Sequence, residues 1–105
     1  RQVLWMATRG GAEVLRRDDI GRIAQGKAAD LAVVDLTGIG YAGSLSDPVA
    51  ALLFCGSSHR TKWTIVNGNI VVENGRLAHH DEGEIAARAN KFAAGLLEKA
   101  AAYKA

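Results

Sequence analysis

The spacing of apolar residues predicts a helix at each end of the chain. In residues 2–15 the apolar side chains fall on one helical face, which the pair Gly10 and Gly11 interrupts. Residues 82–103 repeat apolar positions at spacings of three, four and seven, as an amphipathic helix does, and Asp81 stands where a cap is expected. Because glycine disfavours helix, we expect either close packing or a short break at the glycine pair.

Between the two helices the pattern changes to short elements and turns. Residues 30–36 are a brief apolar run whose β-branched valines favour a strand, and residues 38–46 form a glycine- and serine-rich loop. Asp47 and Pro48 then predict the start of a short helix over 48–55, because aspartate caps a helix and proline suits its first position.

Residues 62–77 carry the clearest local signal. Asn67-Gly68 separates two strand-like runs and supplies the two residues that tolerate positive φ in a type I′ turn. A second turn at Asn74-Gly75 leads into a further short strand. We expect a mixed α and β fold. Its strands could form a three-stranded set under one or two helices, but the open edges of such a set indicate partner strands from elsewhere.

Composition and charge narrow the function classes. The 105 residues are 49% hydrophobic and 23% charged, and the formal net charge of +2 is too small to indicate nucleic acid or an anionic membrane as partner. No apolar run reaches the roughly 20 residues that span a bilayer. The single cysteine, Cys55, excludes an internal disulfide and suggests a reducing compartment, the cytoplasm. Because Arg1 begins inside a predicted helix, we expect the last part of a longer polypeptide.

In the stretch GRIAQGKA, residues 21–27 match the first seven positions of the phosphate-binding motif G-x-x-x-x-G-K-[ST]. A phosphate loop follows a strand and precedes a helix, whereas here a helix precedes and a strand follows. Ala28 also stands where the motif needs a hydroxyl group for magnesium. We therefore interpret the stretch as a turn, with Gly26 in the turn backbone and Lys27 in solvent.

The other reactive residues form no complete site. His79, His80 and Asp81 are adjacent, but neighbouring side chains of an extended segment point to opposite faces, so we interpret the histidines as surface residues. Cys55 has no base beside it, and His59 sits in a loop without an obvious partner. The serines lack the flanking glycines of a nucleophile elbow, and the aromatic residues indicate packing. The aspartates flank a strand on opposite sides, so we interpret them as turn and edge residues and not as a paired acid and base. These last candidates are Ser44, Ser46, Ser57, Ser58, Trp5, Tyr41, Trp63, Phe92, Asp30 and Asp35.

Phrases that follow in order resemble the C-terminal end of the amidohydrolase superfamily. ATRGGA at 7–12 is similar to the family's A-T-x-x-G-A helix, and residues 21–31 are similar to its G-x-I-x-x-G-K-x-A-D-L turn and strand. Residues 66–75 are similar to V-N-G-x-x-V-x-x-G with one extra residue. Residues 41–56 are similar to the branch of 8-oxoguanine deaminase and hydroxydechloroatrazine ethylaminohydrolase, in the cytosine-deaminase-like and triazine-hydrolase-like group.

The resemblance implies a layout. It implies part of a composite β-sandwich with flanking helices, C-terminal to a TIM-like metal-dependent hydrolase barrel that is absent from this chain. Residues 1–18 would be the last helix of the barrel, and residues 19–80 would supply sandwich strands with the short helix 48–55 inserted. Residues 81–105 would form a helix that packs on the barrel. The implied partners are the missing barrel, the missing N-terminal sandwich strands and further copies in a homo-oligomer.

The resemblance also implies chemistry. The parent chain would be a metal-dependent aminohydrolase that removes an exocyclic amine from a purine, pyrimidine or triazine ring. One divalent metal, zinc or iron, would be held by residues upstream of Arg1. No catalytic or metal-binding residue is therefore assigned within the chain, its substrate-binding residues stay unknown, and the segment alone is expected to be inactive. The alternatives are an amidohydrolase branch that hydrolyses cyclic amides, and a non-catalytic interaction module that binds through open sheet edges.

Overall fold

The computed structural model describes residues 1–56 and 60–103 and contains a small antiparallel sheet and several helices. Helix α1 comprises the consecutive stretches Gln2–Trp5, Met6–Gly10 and Gly11–Val14. The elements that follow are strand β1 (Leu31–Val33), a 3₁₀ turn (Ile39–Tyr41), helix α2 (Pro48–Phe54), strands β2 (Trp63–Val66), β3 (Asn69–Glu73) and β4 (Arg76–Leu77), and helix α3 (Glu82–Ala102). The mixed α and β class predicted from the sequence is confirmed.

The glycine pair in helix α1 marks a change of helix type. The backbone stays helical throughout, but Met6–Gly10 is wound as a π-helix between two α-helical turns. Such a stretch inserts extra backbone into the regular ladder, and the Thr8 hydroxyl donates a hydrogen bond of 2.8 Å to the carbonyl oxygen of Leu4. The expected break is therefore a local widening and not an interruption.

Helix α2 begins as the sequence predicts. The Asp47 carboxylate accepts hydrogen bonds from the backbone N–H groups of Val49 at 3.1 Å and Ala50 at 3.0 Å, and Pro48 occupies the first turn. These two bonds satisfy donors that the helix itself cannot pair. Helix α2 lies against the first turn of α1, and its Ala51 is buried.

The four strands form one sheet in the order β1-β2-β3-β4, with every neighbouring pair antiparallel. Both predicted turns are confirmed, because Asn67 and Gly68 adopt φ of +48° and +82°, and Asn74 and Gly75 adopt φ of +50° and +76°. The register shifts by one residue between β2 and β3, which is a β-bulge. The sheet thus has one strand more than a three-stranded set, because the short strand predicted after Asn74-Gly75 pairs with β3 as strand β4.

One face of the sheet is apolar and has no cover. Cross-strand partners share a face, so the register places Leu31, Val33, Trp63, Ile65 and Ile70 together. All five are only half-buried or exposed, and no helix packs closely on them within the described residues. Of the arrangements that the residues alone left open, the described residues therefore show the sheet without a covering helix. The radius of gyration is correspondingly large, at 19.0 Å, where a compact domain of this length has about 13 Å.

Candidate functional site

The stretch that resembles a phosphate loop folds back on helix α1. Residue Lys27 is half-buried, and its amine donates a 2.5 Å hydrogen bond to the carbonyl oxygen of Asp18. The backbone N–H of Ala28 donates to the carbonyl oxygen of Asp19 at 2.8 Å. Gly26 adopts φ of +77°, as the turn interpretation requires. Lys27 also does more than extend into solvent, because its amine closes the turn through this bond.

Gly21 is the point where this loop touches helix α1. Its φ is +82°, and a Cβ atom built there would lie 2.8 Å from the Cβ of Ala12, 3.0 Å from the carbonyl oxygen of Thr8 and 3.2 Å from the Cα of Arg9. Such distances leave no room for a side chain, since two of the three neighbours are backbone atoms. The glycine therefore permits the loop to pack directly on the helix, where Ala12 is buried.

The aspartates that flank strand β1 tie it to the hairpin of strands β2 and β3. Asp30 accepts a 2.7 Å hydrogen bond from the backbone N–H of Asn67 in the hairpin turn. Asp35 accepts hydrogen bonds from the backbone and hydroxyl of Thr37, and pairs with the Lys62 amine at 3.1 Å. These hydrogen bonds, first those from Thr37, hold the pKa of the Asp35 carboxyl well below its usual range. Both residues fasten the strand, in agreement with their interpretation as turn and edge residues.

The histidine cluster does not converge. His79 and His80 are exposed, and the Asp81 carboxylate caps helix α3 by accepting from the backbone N–H groups of Gly83 at 2.8 Å and Glu84 at 3.1 Å. Asp81 is thus confirmed as the predicted cap. Within residues 1–56 and 60–103, no three His, Cys, Asp or Glu side chains lie close enough together to hold a metal ion. The candidates Ser57, Ser58 and His59 lie outside the described residues.

The remaining candidates centre on Tyr41, the one large side chain in the small buried set. It is 6% exposed, and its ring lies so close to Gly56 that a Cβ atom there would be 2.7 Å from the ring carbon Cζ. The Ser44 hydroxyl donates a 2.6 Å hydrogen bond to the Tyr41 carbonyl oxygen, while Ser46 is exposed and Cys55 is half-buried. Among the described residues, no group pairs with the buried Tyr41 hydroxyl. These residues shape a tight corner after helix α2.

The main feature that individual residues in the sequence do not indicate is a large apolar surface that no described element covers. The chain exposes 8727 Å², about 3,000 Å² more than a compact monomer of its size. In the described parts of the chain, the buried hydrophobic residues are only Ala12, Tyr41 and Ala51. Five large apolar side chains are more than three-quarters exposed, namely Val14, Ile23, Ile39, Phe54 and Tyr103. Surface on this scale is typical of one side of a large, permanent interface.

Helix α3 contributes a large share of this surface. It has no buried residue and packs closely on no other described element. Ile85, Ala89, Phe92 and Leu96 form a stripe along one side, and Phe92 is 72% exposed. The helix is amphipathic and not uniformly apolar, and neither it nor any other described helix has the length and apolar character needed to cross a membrane.

Comparison with known proteins identifies the family. Residues 1–71 match the amidohydrolase family, and the chain therefore belongs to that family. It is 42% identical over 87 residues to hydroxydechloroatrazine ethylaminohydrolase of Pseudomonas sp. (strain ADP), a match that covers 83% of this chain and 18% of that relative. It is 41% identical over 73 residues to 8-oxoguanine deaminase of Pseudomonas aeruginosa, covering 64% of this chain and 16% of the relative. The resemblance predicted from the sequence phrases is confirmed.

Solved structures agree with this assignment. Atrazine chlorohydrolase from Arthrobacter aurescens TC1, complexed with zinc, superposes with a TM-score of 0.82 at 41% identity, over 87% of this chain and 20% of that one. An adenosine deaminase from Xanthomonas campestris with bound zinc also gives a TM-score of 0.82, at 28% identity, over 90% of this chain and 22% of the other. The chain thus spans about a fifth of the length of the proteins it matches.

Proposed function

We propose that this chain is the C-terminal structural segment of a metal-dependent aminohydrolase, an enzyme that hydrolytically removes an exocyclic amine from a purine, pyrimidine or triazine ring. The observation that carries the proposal is the combination of family membership with surface that this chain alone cannot cover. An excess of about 3,000 Å² over a compact monomer is consistent with a piece that is folded against a larger body. The chain's share of its relatives, about a fifth, leaves room for that body.

The sheet supports a composite β-sandwich. Its apolar face around Trp63 and Ile65 lacks a second layer, and strand β1 has no strand partner on its outer side among the described residues. A sandwich provides both, because its second sheet covers the apolar face and added strands pair the edge. We therefore assign residues 19–80 to the sandwich, with the short helix inserted. Residues 1–18 are assigned to the last barrel helix and residues 81–105 to a helix that packs on the barrel.

The metal of such an enzyme does not fit the residues described here. Zinc needs at least three converging nitrogen, sulfur or oxygen ligands from the protein. No such group occurs in the parts of the chain that the structure describes, where the Asp81 carboxylate caps a helix and Asp35 pairs with Lys62. We therefore assign the single divalent metal, zinc or iron, to the remainder of the polypeptide, and we assign no catalytic step to a residue of this segment.

The names of the relatives define the substrate class to test. They include an ethylaminohydrolase, purine-type deaminases and an atrazine chlorohydrolase. In the proposed reaction, an oxygen from water forms a bond to the ring carbon, the bond from that carbon to the exocyclic nitrogen breaks, and ammonia or an alkylamine leaves. The chlorohydrolase neighbour supports a second candidate, in which chloride leaves the same kind of ring carbon.

The deciding experiment uses the full-length polypeptide that contains this chain, purified with zinc. It is incubated with aminated purines, pyrimidines and triazines, with chlorinated triazines and with cyclic amides. Released ammonia, alkylamine and chloride are measured separately, and ring-opened products of the cyclic amides are detected by chromatography. Amine release from one ring class is the expected result. Exclusive opening of cyclic amides would overturn the proposal in favour of the other amidohydrolase branch, and chloride release alone would support dehalogenation.

The proposal also covers assembly and location. We propose that the full-length enzyme is a cytoplasmic homo-oligomer. Light scattering of the purified protein tests the oligomeric state, and cell fractionation tests the location. The competing interaction-module hypothesis predicts that the 105-residue chain is a stable, monodisperse protein by itself. The scarcity of buried side chains argues against that hypothesis, because too little apolar surface is removed from water to offset the ordering of the chain.

A further inference from the structure

We propose that Asn74 is a site of spontaneous deamidation in the folded protein, and that the fold protects the other Asn-Gly pair of the chain, Asn67-Gly68, from the same reaction. Both pairs close turns of the sheet with positive φ, and both asparagines are exposed. The proposal concerns a covalent modification of the backbone. It does not depend on which reaction the full-length enzyme catalyses.

The reaction needs only water besides the protein itself. The backbone nitrogen of the glycine attacks Cγ of the asparagine, a C–N bond forms, and the Cγ–Nδ2 bond breaks as ammonia leaves with the proton of the glycine N–H. Water then opens the resulting succinimide ring. Cleavage of the new Cγ–N bond gives aspartate, whereas cleavage of the original peptide bond gives isoaspartate, in which the chain runs through Cγ. Glycine favours the attack because no side chain hinders its nitrogen.

Both attacking nitrogens are held by hydrogen bonds in the closed turns. The Gly68 N–H donates to the carbonyl oxygen of Ala29 at 3.1 Å, and the Gly75 N–H donates to the carbonyl oxygen of Lys62 at 3.0 Å. A nitrogen that donates its proton to a carbonyl must leave that acceptor before it can attack. Each pair therefore reacts only when its turn opens locally, and its rate follows how often the turn is open.

The turn at Asn67 has a second hydrogen bond that keeps it closed. The backbone N–H of Asn67 donates to the Asp30 carboxylate at 2.7 Å, beside the bond from Gly68. The turn also joins β2 and β3, which are the two inner strands and pair over four positions. One additional hydrogen bond lowers the population of the open turn about fivefold. Opening at Asn67 is therefore rare.

The turn at Asn74 joins the inner strand β3 to the edge strand β4. Strand β4 has two residues and pairs over two positions only, Val72 with Leu77 and Glu73 with Arg76. Fewer hydrogen bonds must break to open this edge, and short edge elements are drawn from the least stable parts of a structure. Asn74 is therefore the pair member that meets its glycine nitrogen more often.

Isoaspartate at Asn74 would change the sheet edge itself. It adds one carbon atom to the backbone of the turn, so β3 and β4 lose their register. The Ala78 N–H donates to the Val71 carbonyl oxygen at 3.0 Å, and the Leu77 N–H donates to the Glu82 carboxylate at 3.1 Å. Both bonds depend on that register. The modification would thus loosen strand β4 and its connection to the start of helix α3.

The test is ageing of the full-length polypeptide in mildly alkaline buffer, followed by peptide mass spectrometry with fragmentation that distinguishes isoaspartate from aspartate. Asn69 and Asn90 are internal controls, because the residues that follow them are not glycine. In the folded protein, Asn74 is expected to convert at least about fivefold faster than Asn67. In urea, where both turns are open, the two are expected to convert at similar rates.

Several results would overturn the inference. Equal rates in the folded protein, faster conversion of Asn67, or conversion in urea alone would mean that the sheet edge does not open as proposed. The same preference for Asn74 in urea would mean that sequence, and not the fold, sets the difference. Conversion of Asn69 or Asn90 at the rate of Asn74 would remove the role of the glycine.

Matched variants test the protecting carboxylate. Asp30→Ala is expected to raise the rate at Asn67 about fivefold. Asp35→Ala, at the other end of strand β1, is expected to leave that rate unchanged. An unchanged rate in Asp30→Ala, or an equal rise in Asp35→Ala, would show that the Asp30 carboxylate does not hold the turn.

Hydrogen exchange tests the consequence at the sheet edge. In protein that carries isoaspartate at position 74, backbone amides of residues 76–79 are expected to exchange faster than in fresh protein, while those of 63–66 keep their rates. Unchanged exchange at 76–79 would refute the loosening of strand β4. Because none of these readouts is catalytic, failure of this inference is distinguishable from failure of the proposed function.

Discussion

The contact of loop residue Gly21 with helix α1 leads to a quantitative prediction. Gly21 and Gly26 lie in the same loop and both have positive φ, +82° and +77°. A Cβ atom at Gly21 would lie 2.8 Å from Ala12 and 3.0 Å from the Thr8 carbonyl oxygen, whereas at Gly26 it would meet nothing within 4 Å. Gly26→Ala therefore measures backbone strain alone, and Gly21→Ala measures strain together with overlap.

The magnitudes follow from these two contributions. A non-glycine residue in the left-handed region costs about 1–2 kcal/mol, which is the loss expected for Gly26→Ala. Overpacking adds about 1–3 kcal/mol at Gly21, so Gly21→Ala should lower the free energy of unfolding by about 2–5 kcal/mol. Ala12→Gly removes the nearest carbon atom. The double variant should therefore lose about 1 kcal/mol less than the sum of the single variants, although the Thr8 carbonyl oxygen stays in place.

The assay is urea unfolding of the full-length polypeptide, followed by fluorescence and circular dichroism, with each variant compared under the same conditions. The expected order of stability is wild type, then Gly26→Ala, then Gly21→Ala, with a positive coupling between Ala12→Gly and Gly21→Ala. Equal losses at Gly21 and Gly26 would mean that the loop does not rest on helix α1. Additive losses in the double variant would mean that Ala12 is not the neighbour.

Three further outcomes are expected. Gly56→Ala should destabilise the full-length protein by several kcal/mol, because its methyl group would overlap the buried ring of Tyr41 at a backbone φ of +79°; an unchanged urea midpoint would contradict this. The Asp35 pKa is lowered on folding, so its stabilising effect is present above the unfolded value of about 3.9 and is lost as pH falls below it. Asp35→Asn should therefore lower the thermal midpoint at pH 7 and make progressively less difference from pH 4 downwards, and a pH-independent difference would rule out the carboxylate as the cause. Expressed alone, the 105-residue chain should bind a hydrophobic dye and associate in light scattering, whereas a monodisperse chain with a cooperative thermal transition would support the interaction module.

The local elements could be predicted because each depends on residues close in sequence. Asp47 and Asp81 cap helices through their own next turns, and Asn67 with Gly68 closes a hairpin between adjacent strands. These interactions use short-range hydrogen bonds and φ preferences, which are the same whether or not the rest of a protein is present.

The packing could not be predicted because it depends on distant residues. Nothing in the phrase around Gly21 indicates that it rests on Thr8 and Ala12, and nothing near Lys27 indicates that its amine closes a turn. A helix over the sheet was one possibility, since an apolar face needs cover. The sequence pattern shows that a face is apolar, but it does not show which element covers that face.

The described residues form regular helices, strands and turns but bury very few side chains. This contrast indicates where the stability of the segment comes from. Hydrogen-bonded turns and caps each contribute about 1 kcal/mol, which is too little to offset the conformational entropy of a hundred ordered residues. The apolar stripe around Phe92 and the sheet face around Trp63 hold the burial that would offset it, and both are open in the described chain. In the enzyme proposed above, folding of this segment and its attachment to the rest of the polypeptide are therefore one thermodynamic event. Substitutions on these faces should then lower the stability of that enzyme without touching any residue that carries its chemistry.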